Sequence, residues 1–286
     1  VPELPEVEAL VRFLDERTSG HVVAAVEIGA ISALKTFAPP PSALVGTTVT
    51  GATRHGKWID VRTDGPHLVL HLSRAGWLRW YDAVPATTVR PGRSPIALRV
   101  RLDDGSGFDL TEAGTRKRLA VHVVEDPAAV PMVASLGVDP LGPEFTVERL
   151  TELTQVKNQQ VKGMLRDQHI IAGIGNAYSD EILHTARMSP YTLSRSLKAE
   201  DVARLHTVIR DVLTQALEAS AGRPAAELKD AKRRGMQVHG RTGEACPVCG
   251  DVVREVSFAD SALQYCPTCQ TGGRPLADRR MSRLLR

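Results

Sequence analysis

Before Cys246 the chain has no cysteine; its four thiols all lie between Cys246 and Cys269. A disulfide framework is excluded over most of the length, and a reducing, cytoplasmic compartment is the expectation. Aromatic residues are scarce, at 4%, so aliphatic side chains must build the core. No apolar run reaches the roughly 18 residues that a spanning helix needs. The first twenty residues carry acids where an export signal would have its apolar centre. Neither a membrane helix nor secretion is expected. A strong charge of one sign is also missing, the formal net being +3 over 286 residues. That small excess is uneven, because residues 223–286 hold 12 Lys/Arg against 7 Asp/Glu. A basic C-terminal part suits a polyanionic partner, and equally serves solubility.

What is present begins with Val1-Pro2-Glu3-Leu4-Pro5-Glu6-Val7-Glu8. Pro5 suits the first turn of a helix, where no amide hydrogen is needed. Leu4, Val7, Leu10, Val11 and Leu14 recur at helical spacing, and Gly20 closes the element. Pro2 and Glu3 then lie at the rigid N-terminal end of that helix. With residue 1 removed, Pro2 is a secondary amine beside a carboxyl group, a nucleophile with a proton relay next to it. A plain helix start accounts for the same residues. The helix dipole favours an ionised Glu3, so proton donation from it requires an opposing burial.

From about Val22 to Val124 the pattern changes to short strands: 22–28, 45–50, 58–62, 68–72, 77–81, 96–102 and 119–124. Gly, Pro and Asp turn signals separate them. Such spacing predicts a sandwich or barrel. Arg54-His55-Gly56-Lys57 reads as a basic hairpin tip, or simply as a solvated turn. Between 126 and 145 four prolines and two glycines mark a linker. Helical periodicity follows at 147–153, 161–168 and 176–186, then along a helix from about Leu197 to Ser220 with Ser196 as its N-cap. Between two of these helices, Ala172-Gly173-Ile174-Gly175-Asn176 can either turn tightly or hold a phosphate on free helix amides.

The last unit carries Cys246-Pro-Val-Cys249 and, 16 residues on, Cys266-Pro-Thr-Cys269. Two C-x2-C pairs at this separation meet the pattern of one structural zinc ion held by four thiolates, with redox-active pairs as the other reading.

These pieces, in this order, resemble the formamidopyrimidine-DNA glycosylase / endonuclease VIII family across almost the whole chain. The most specific matches are Pro2 to Glu8, Ala172 to Asn176, and Gly240-Arg241 leading into the cysteines. The resemblance implies a base-excision-repair DNA glycosylase with abasic-site lyase activity, acting on double-stranded damaged DNA as a cytoplasmic monomer. By it, Pro2 attacks C1′ of the damaged nucleotide and forms a Schiff base, and Glu3 handles protons at the ring oxygen. Lys57 contacts phosphate, and Asn176 grips the backbone. Glu6 and Glu181 match acids of the family, with a lesion-pocket role as the expectation. Because Pro2 is an amide while Val1 is attached, Val1 is expected to be a start codon read as methionine and then trimmed.

The implied fold is α+β and multidomain. A helix plus β-sandwich (1–126) and a linker (127–145) precede a helix-two-turn-helix domain (146–222). A basic connecting loop (223–240) then leads to a β-hairpin zinc finger with a basic tail (241–286). Departures from the family fall on specificity. Its His-Leu-Gly-Met-Ser/Thr-Gly strand reads His71-Leu72-Ser73-Arg74-Ala75-Gly76, so the methionine wedge is Arg74. Its Arg-Arg-Phe-Gly reads Lys117-Arg118-Leu119-Ala120, so the phenylalanine wedge is Leu119. The finger arginine falls at Ser261, with Arg233, Arg234, Arg254 and the tail from Arg274 as substitutes. The 222–240 stretch also lacks the loop that closes over 8-oxoguanine. Altered wedges leave open a second class of function, a damaged- or abasic-DNA binder that excises nothing.

Overall fold

The computed structural model describes residues 2–92, 95–113, 118–258 and 261–277. They form two compact units, each discontinuous in sequence. Unit 1 takes residues 1–136 and 220–229, and unit 2 takes 137–219 and 230–286.

Unit 1 opens with α1 (Leu4–Thr18) and continues as strands β1 (Val23–Ile28), β2 (Val49–His55), β3 (Trp58–Thr63), β4 (His67–His71), β5 (Gly76–Tyr81), β6 (Ile96–Leu102), β7 (Gly107–Glu112) and β8 (Ala120–Val124). Two antiparallel sheets result, in the orders β1-β6-β7-β5 and β2-β3-β4-β8. Alternation places Leu98, Val100, Phe108 and Leu110 of one sheet, and Ile59, Val61, Leu68 and Leu70 of the other, in a shared core with Val7, Leu10 and Leu14 of α1. The predicted helix and sandwich are therefore present. Six predicted strands match to within about a residue at most ends. The one predicted over 45–50 is β2 at Val49–His55, because Pro41–Leu44 form a 3-10 turn before it.

Strand β7 carries no sequence prediction, since Gly107-Phe-Asp-Leu-Thr-Glu112 has no valine or isoleucine and carries two acids. Both acids have buried partners. Asp109 takes a bidentate pair from Arg99 of β6 (2.7 and 2.9 Å), and Glu112 accepts from the amides of Arg118 and Leu119. Arg99, outward on the strand pattern, is accordingly only 3% exposed.

The proposed linker is only partly one. Its first half contains α2 (Pro131–Ala134), and Val130, Val133 and Leu136 pack over Trp58, Val69 and Val124 on the outer face of the second sheet. The unit boundary comes after Leu136.

Unit 2 contains α3 (Val147–Val156), α4 (Val161–Arg166), α5 (Asn176–Thr185) and all but the last residue of α6 (Ala199–Ser220). Ser196 lies in a separate 3-10 turn (Ser194–Ser196) and so does not cap α6. The proposed basic loop 223–240 is instead helical over α7 (Leu228–Gly235), and its start belongs to unit 1. Ala225 and Leu228 enter that unit's core, and the Trp77 indole donates to the Ala225 carbonyl (3.0 Å). The finger follows as a hairpin, β9 (Arg254–Ser257) against β10 (Ala262–Tyr265), and closes with α8 (Pro267–Thr271). Among the described residues no helix is long and apolar enough to cross a membrane.

Candidate active site and metal centre

In unit 1, Glu3 is the N-cap of α1 and Pro2 lies directly before it, buried. A reciprocal capping box fixes the pair: the Glu6 carboxylate accepts from the Glu3 amide (2.8 Å), and Glu3 accepts from the Glu6 amide. Glu3 is 2% exposed, so the burial required to oppose the helix dipole is present. Glu6 is 1% exposed, and its carboxylate bonds the Glu3 amide at the head of the same helix.

Lys57 sits at the β2–β3 turn, where His55 pairs with Trp58 across a two-residue loop. Gly56 has φ +56, as the first central position of a II′ turn requires. Arg54 braces that turn from both sides. Its Nη1 donates to the Gly56 carbonyl (3.2 Å), and its Nε donates to Glu8 of α1 (2.9 Å). One arginine therefore ties the lysine turn to the helix that mounts Pro2 and Glu3. Sequence reading passed over this link, whose only signal is a glutamate at the end of the N-terminal motif.

Histidines gather on the same sheet's outer face. His71 packs against Trp58, the rings tilted 42° with centres 4.6 Å apart. Burial, and then the Lys57 charge, bring its pKa down to about 4, so it is neutral near pH 7. Asp60 is bracketed by His55 (3.2 Å) and His67 (2.9 Å). Burial alone would raise its pKa, but those hydrogen bonds and charges outweigh it and hold the carboxyl below its usual range.

Arg74 stands exposed on a turn closed by the Gly76 amide donating to the Leu72 carbonyl (2.9 Å). A side chain at position 76 would meet that carbonyl oxygen at 2.2 Å, so glycine is required to present Arg74 outward. Arg118 is exposed, while Leu119 is fully buried in the core. The Leu119 side chain faces the core, and its amide donates to the Glu112 carboxylate. Lys117 lies outside the described residues.

In unit 2, the turn before α5 is organised by Gln168, another residue with no sequence signal. Its Oε1 accepts from the Gly173 amide (2.9 Å) and its Nε2 donates to the Ile174 carbonyl (2.8 Å). Asn176 then starts α5 and donates from Nδ2 to the Ala262 carbonyl of the finger hairpin (2.7 Å). Buried Lys162 bonds to Ser179 (2.8 Å) and pairs with Asp180, whose second oxygen meets His239 (2.7 Å). Glu181 accepts three backbone amides, from Gln237 (2.7 Å), Val238 (3.0 Å) and His239 (2.8 Å). This anchors the chain leading to the finger onto α5. Burial raises its pKa, and the three amides counter that only in part.

The thiols converge as the spacing predicts, with Sγ separations of 3.9 Å for Cys246–Cys269 and 3.3 Å for Cys249–Cys266. Four thiolates about 2.3 Å from a zinc ion stand roughly 3.8 Å apart, so these four residues fit one structural zinc. Asp251 locks the two knuckles together through the Thr268 hydroxyl (2.8 Å) and amide (3.2 Å). Beside them, unforeseen from sequence, buried His184 of α5 brings Nε2 to 3.3 Å from Cys246 Sγ. Ser261 closes the hairpin through its carbonyl, which accepts from Phe258 (2.7 Å), and Arg233, Arg234, Arg254 and Arg274 are exposed.

Three family patterns cover the chain. The formamidopyrimidine-DNA glycosylase N-terminal domain matches residues 1–121, the H2TH domain 136–226, and the zinc finger found in FPG and IleRS 243–272. A formamidopyrimidine-DNA glycosylase of Symbiobacterium thermophilum is 35% identical over 94% of this chain and 89% of its own length. An uncharacterised formamidopyrimidine-DNA glycosylase-like protein of Mycobacterium tuberculosis is 52% identical over 56% of this chain and 99% of its own. Among solved structures, the Lactococcus lactis Fpg complex with abasic-site DNA superposes with TM-score 0.82, 25% identity and coverage of 94% and 99%. MutM (FPG) of Thermus thermophilus gives TM-score 0.80 and 27% identity over 96% and 100%. By sequence, fold and the four-thiol finger alike, the chain belongs to the formamidopyrimidine-DNA glycosylase family.

Proposed function

We propose that this protein is a base-excision-repair glycosylase that also cleaves the abasic strand, with Pro2 as its nucleophile. The observation carrying the proposal is the buried Pro2-Glu3 pair on the N-terminus of α1, with the Lys57 turn braced to the same helix by Arg54 and Glu8. In this reading the Pro2 nitrogen, freed of residue 1, attacks C1′ of the extruded nucleotide and the damaged base departs. Glu3 protonates the ring oxygen as the sugar opens to an iminium; proton loss at C2′ then expels the 3′ phosphate, and a second proton loss, at C4′ of the conjugated iminium, expels the 5′ phosphate. Neutral His71 beside Lys57 adds no second positive charge there, leaving the ammonium to meet phosphate. Asn176, Arg118 and Lys117 are proposed to hold the duplex backbone.

Lesion choice follows from the altered loops. Arg74 takes the place of an apolar wedge, filling the vacated stack with its planar guanidinium. With Leu119 facing the core, reading of the opposite base is reduced. Poor excision of 8-oxoguanine is expected, and better action on ring-opened purines, oxidised pyrimidines or abasic sites.

Borohydride trapping on duplexes carrying each lesion tests this, with mass mapping of the adduct. The expected result is a covalent adduct at Pro2, strongest on abasic DNA. Tight binding to an abasic analogue without an adduct on any substrate would establish the non-catalytic reading, which the altered wedge positions favour.

A further inference from the structure

We infer that His184 supports the zinc centre from outside its ligand set, donating its Nε2 hydrogen to the Cys246 thiolate and so setting how tightly the ion is held. A four-thiolate zinc site carries net negative charge on its sulfurs, and donors aimed at those sulfurs stabilise the metal-bound form. His184 has the geometry for it. Its Nε2 is 3.3 Å from Cys246 Sγ, and it lies with Cys246, Cys266 and Cys269 in one group whose ligand atoms are all within 4.8 Å of one another. A metal-bound thiolate only accepts, so the facing ring nitrogen must carry the hydrogen.

Its surroundings favour this role over direct ligation. Cys246 and Cys266 are buried and Cys269 is half-buried, whereas Cys249 is exposed. Cys249 Sγ nonetheless reaches Cys266 Sγ at 3.3 Å, so the four sulfurs complete the coordination sphere and His184 is left outside it. His184 also stands on α5, whose first residue, Asn176, bonds the finger hairpin at Ala262 (2.7 Å). Helix α5 thus touches the finger near both of its ends, at the hairpin backbone and at a metal ligand. A histidine on the buried face of a helix reads in sequence as core, which is why no pattern pointed to it.

The test uses the full-length zinc-loaded protein and its H184F and H184Q variants, the first filling the same slot without a donor and the second keeping an amide donor. Zinc transfer to excess 4-(2-pyridylazo)resorcinol is followed by absorbance. Removing a group that hydrogen-bonds a metal ligand typically weakens metal binding by about 10- to 100-fold, so H184F is expected to release zinc faster by roughly that factor, with H184Q recovering most of the difference. In the cobalt-substituted protein, the visible bands are expected to stay those of a four-sulfur site in all three. Equal release rates from all three proteins, or H184Q as fast as H184F, would overturn the assignment. So would a wild-type cobalt spectrum of three sulfurs and one nitrogen that changes in H184Q but not in Cys249→Ser, since His184 would then be a ligand itself.

Discussion

Unit 1 sets several charged side chains against one another across neighbouring elements, whereas unit 2 sets a buried glutamate and two glutamine amides against backbone. In the sandwich, Arg99 meets Asp109 between strands, Arg54 meets Glu8 between hairpin and helix, and Asp60 is shared by two histidines. In unit 2, Glu181 holds three consecutive amides, Gln168 holds a glycine turn, and Gln270 joins the Cys266 amide to the Met188 carbonyl. The physical reason is the kind of backbone each unit contains. Strands satisfy their own amides, so side chains must find side chains. Tight turns and zinc knuckles leave backbone groups without ladder partners, and buried polar side chains supply them.

Three perturbations would break or sharpen that contrast. The largest effect is expected from Arg99→Met, which strands Asp109 at 0% exposure. Losing one partner of a buried pair costs about 3–5 kcal/mol, and denaturant unfolding should show it as a loss in unit 1, with the double substitution Arg99→Met/Asp109→Leu recovering much of it. Acid should come next. His71 has a folded-state pKa of about 4 against an ordinary 6.5, so folding favours its neutral form. Its contribution is complete above about pH 6.5 and is lost as pH falls towards 4, on the order of 3 kcal/mol in all. Unfolding free energy measured across that window should fall less steeply in His71→Gln. Asp60, held below its usual range, acts only at lower pH still. The smallest effect is expected from Glu181→Ala, on the order of 1–3 kcal/mol for amides left unsatisfied in unit 2. Hydrogen exchange should quicken at Gln237, Val238 and His239 while strand amides of unit 1 keep their protection.

Much of this was legible beforehand because it rests on local rules. Helical recurrence from Leu4 to Leu14 produced α1, aliphatic alternation produced most of the strands, and the two C-x2-C pairs produced the zinc cluster. Strand β7 was not legible, because its acids are tolerated only where Arg99 and the amides of Arg118 and Leu119 meet them. Position 119 shows the same limit. A leucine in an aligned loop says nothing of its direction, and the Glu112 carboxylate decides it.

The sequence by itself determined the N-terminal Pro2-Glu3 pair, the Lys57 turn and the four zinc ligands, since each is a set of near neighbours whose chemistry depends on residue type and spacing. Only the tertiary structure decided that Arg54 joins the lysine turn to α1, that Ala225 and Leu228 return to the core of unit 1, that Glu181 anchors a strand of backbone, and that His184 faces a zinc ligand. Each of these joins residues far apart in the chain, 46 positions for Glu8 and Arg54 and 62 for His184 and Cys246. Such contacts are set by which faces the packed core brings together, and no local pattern records them.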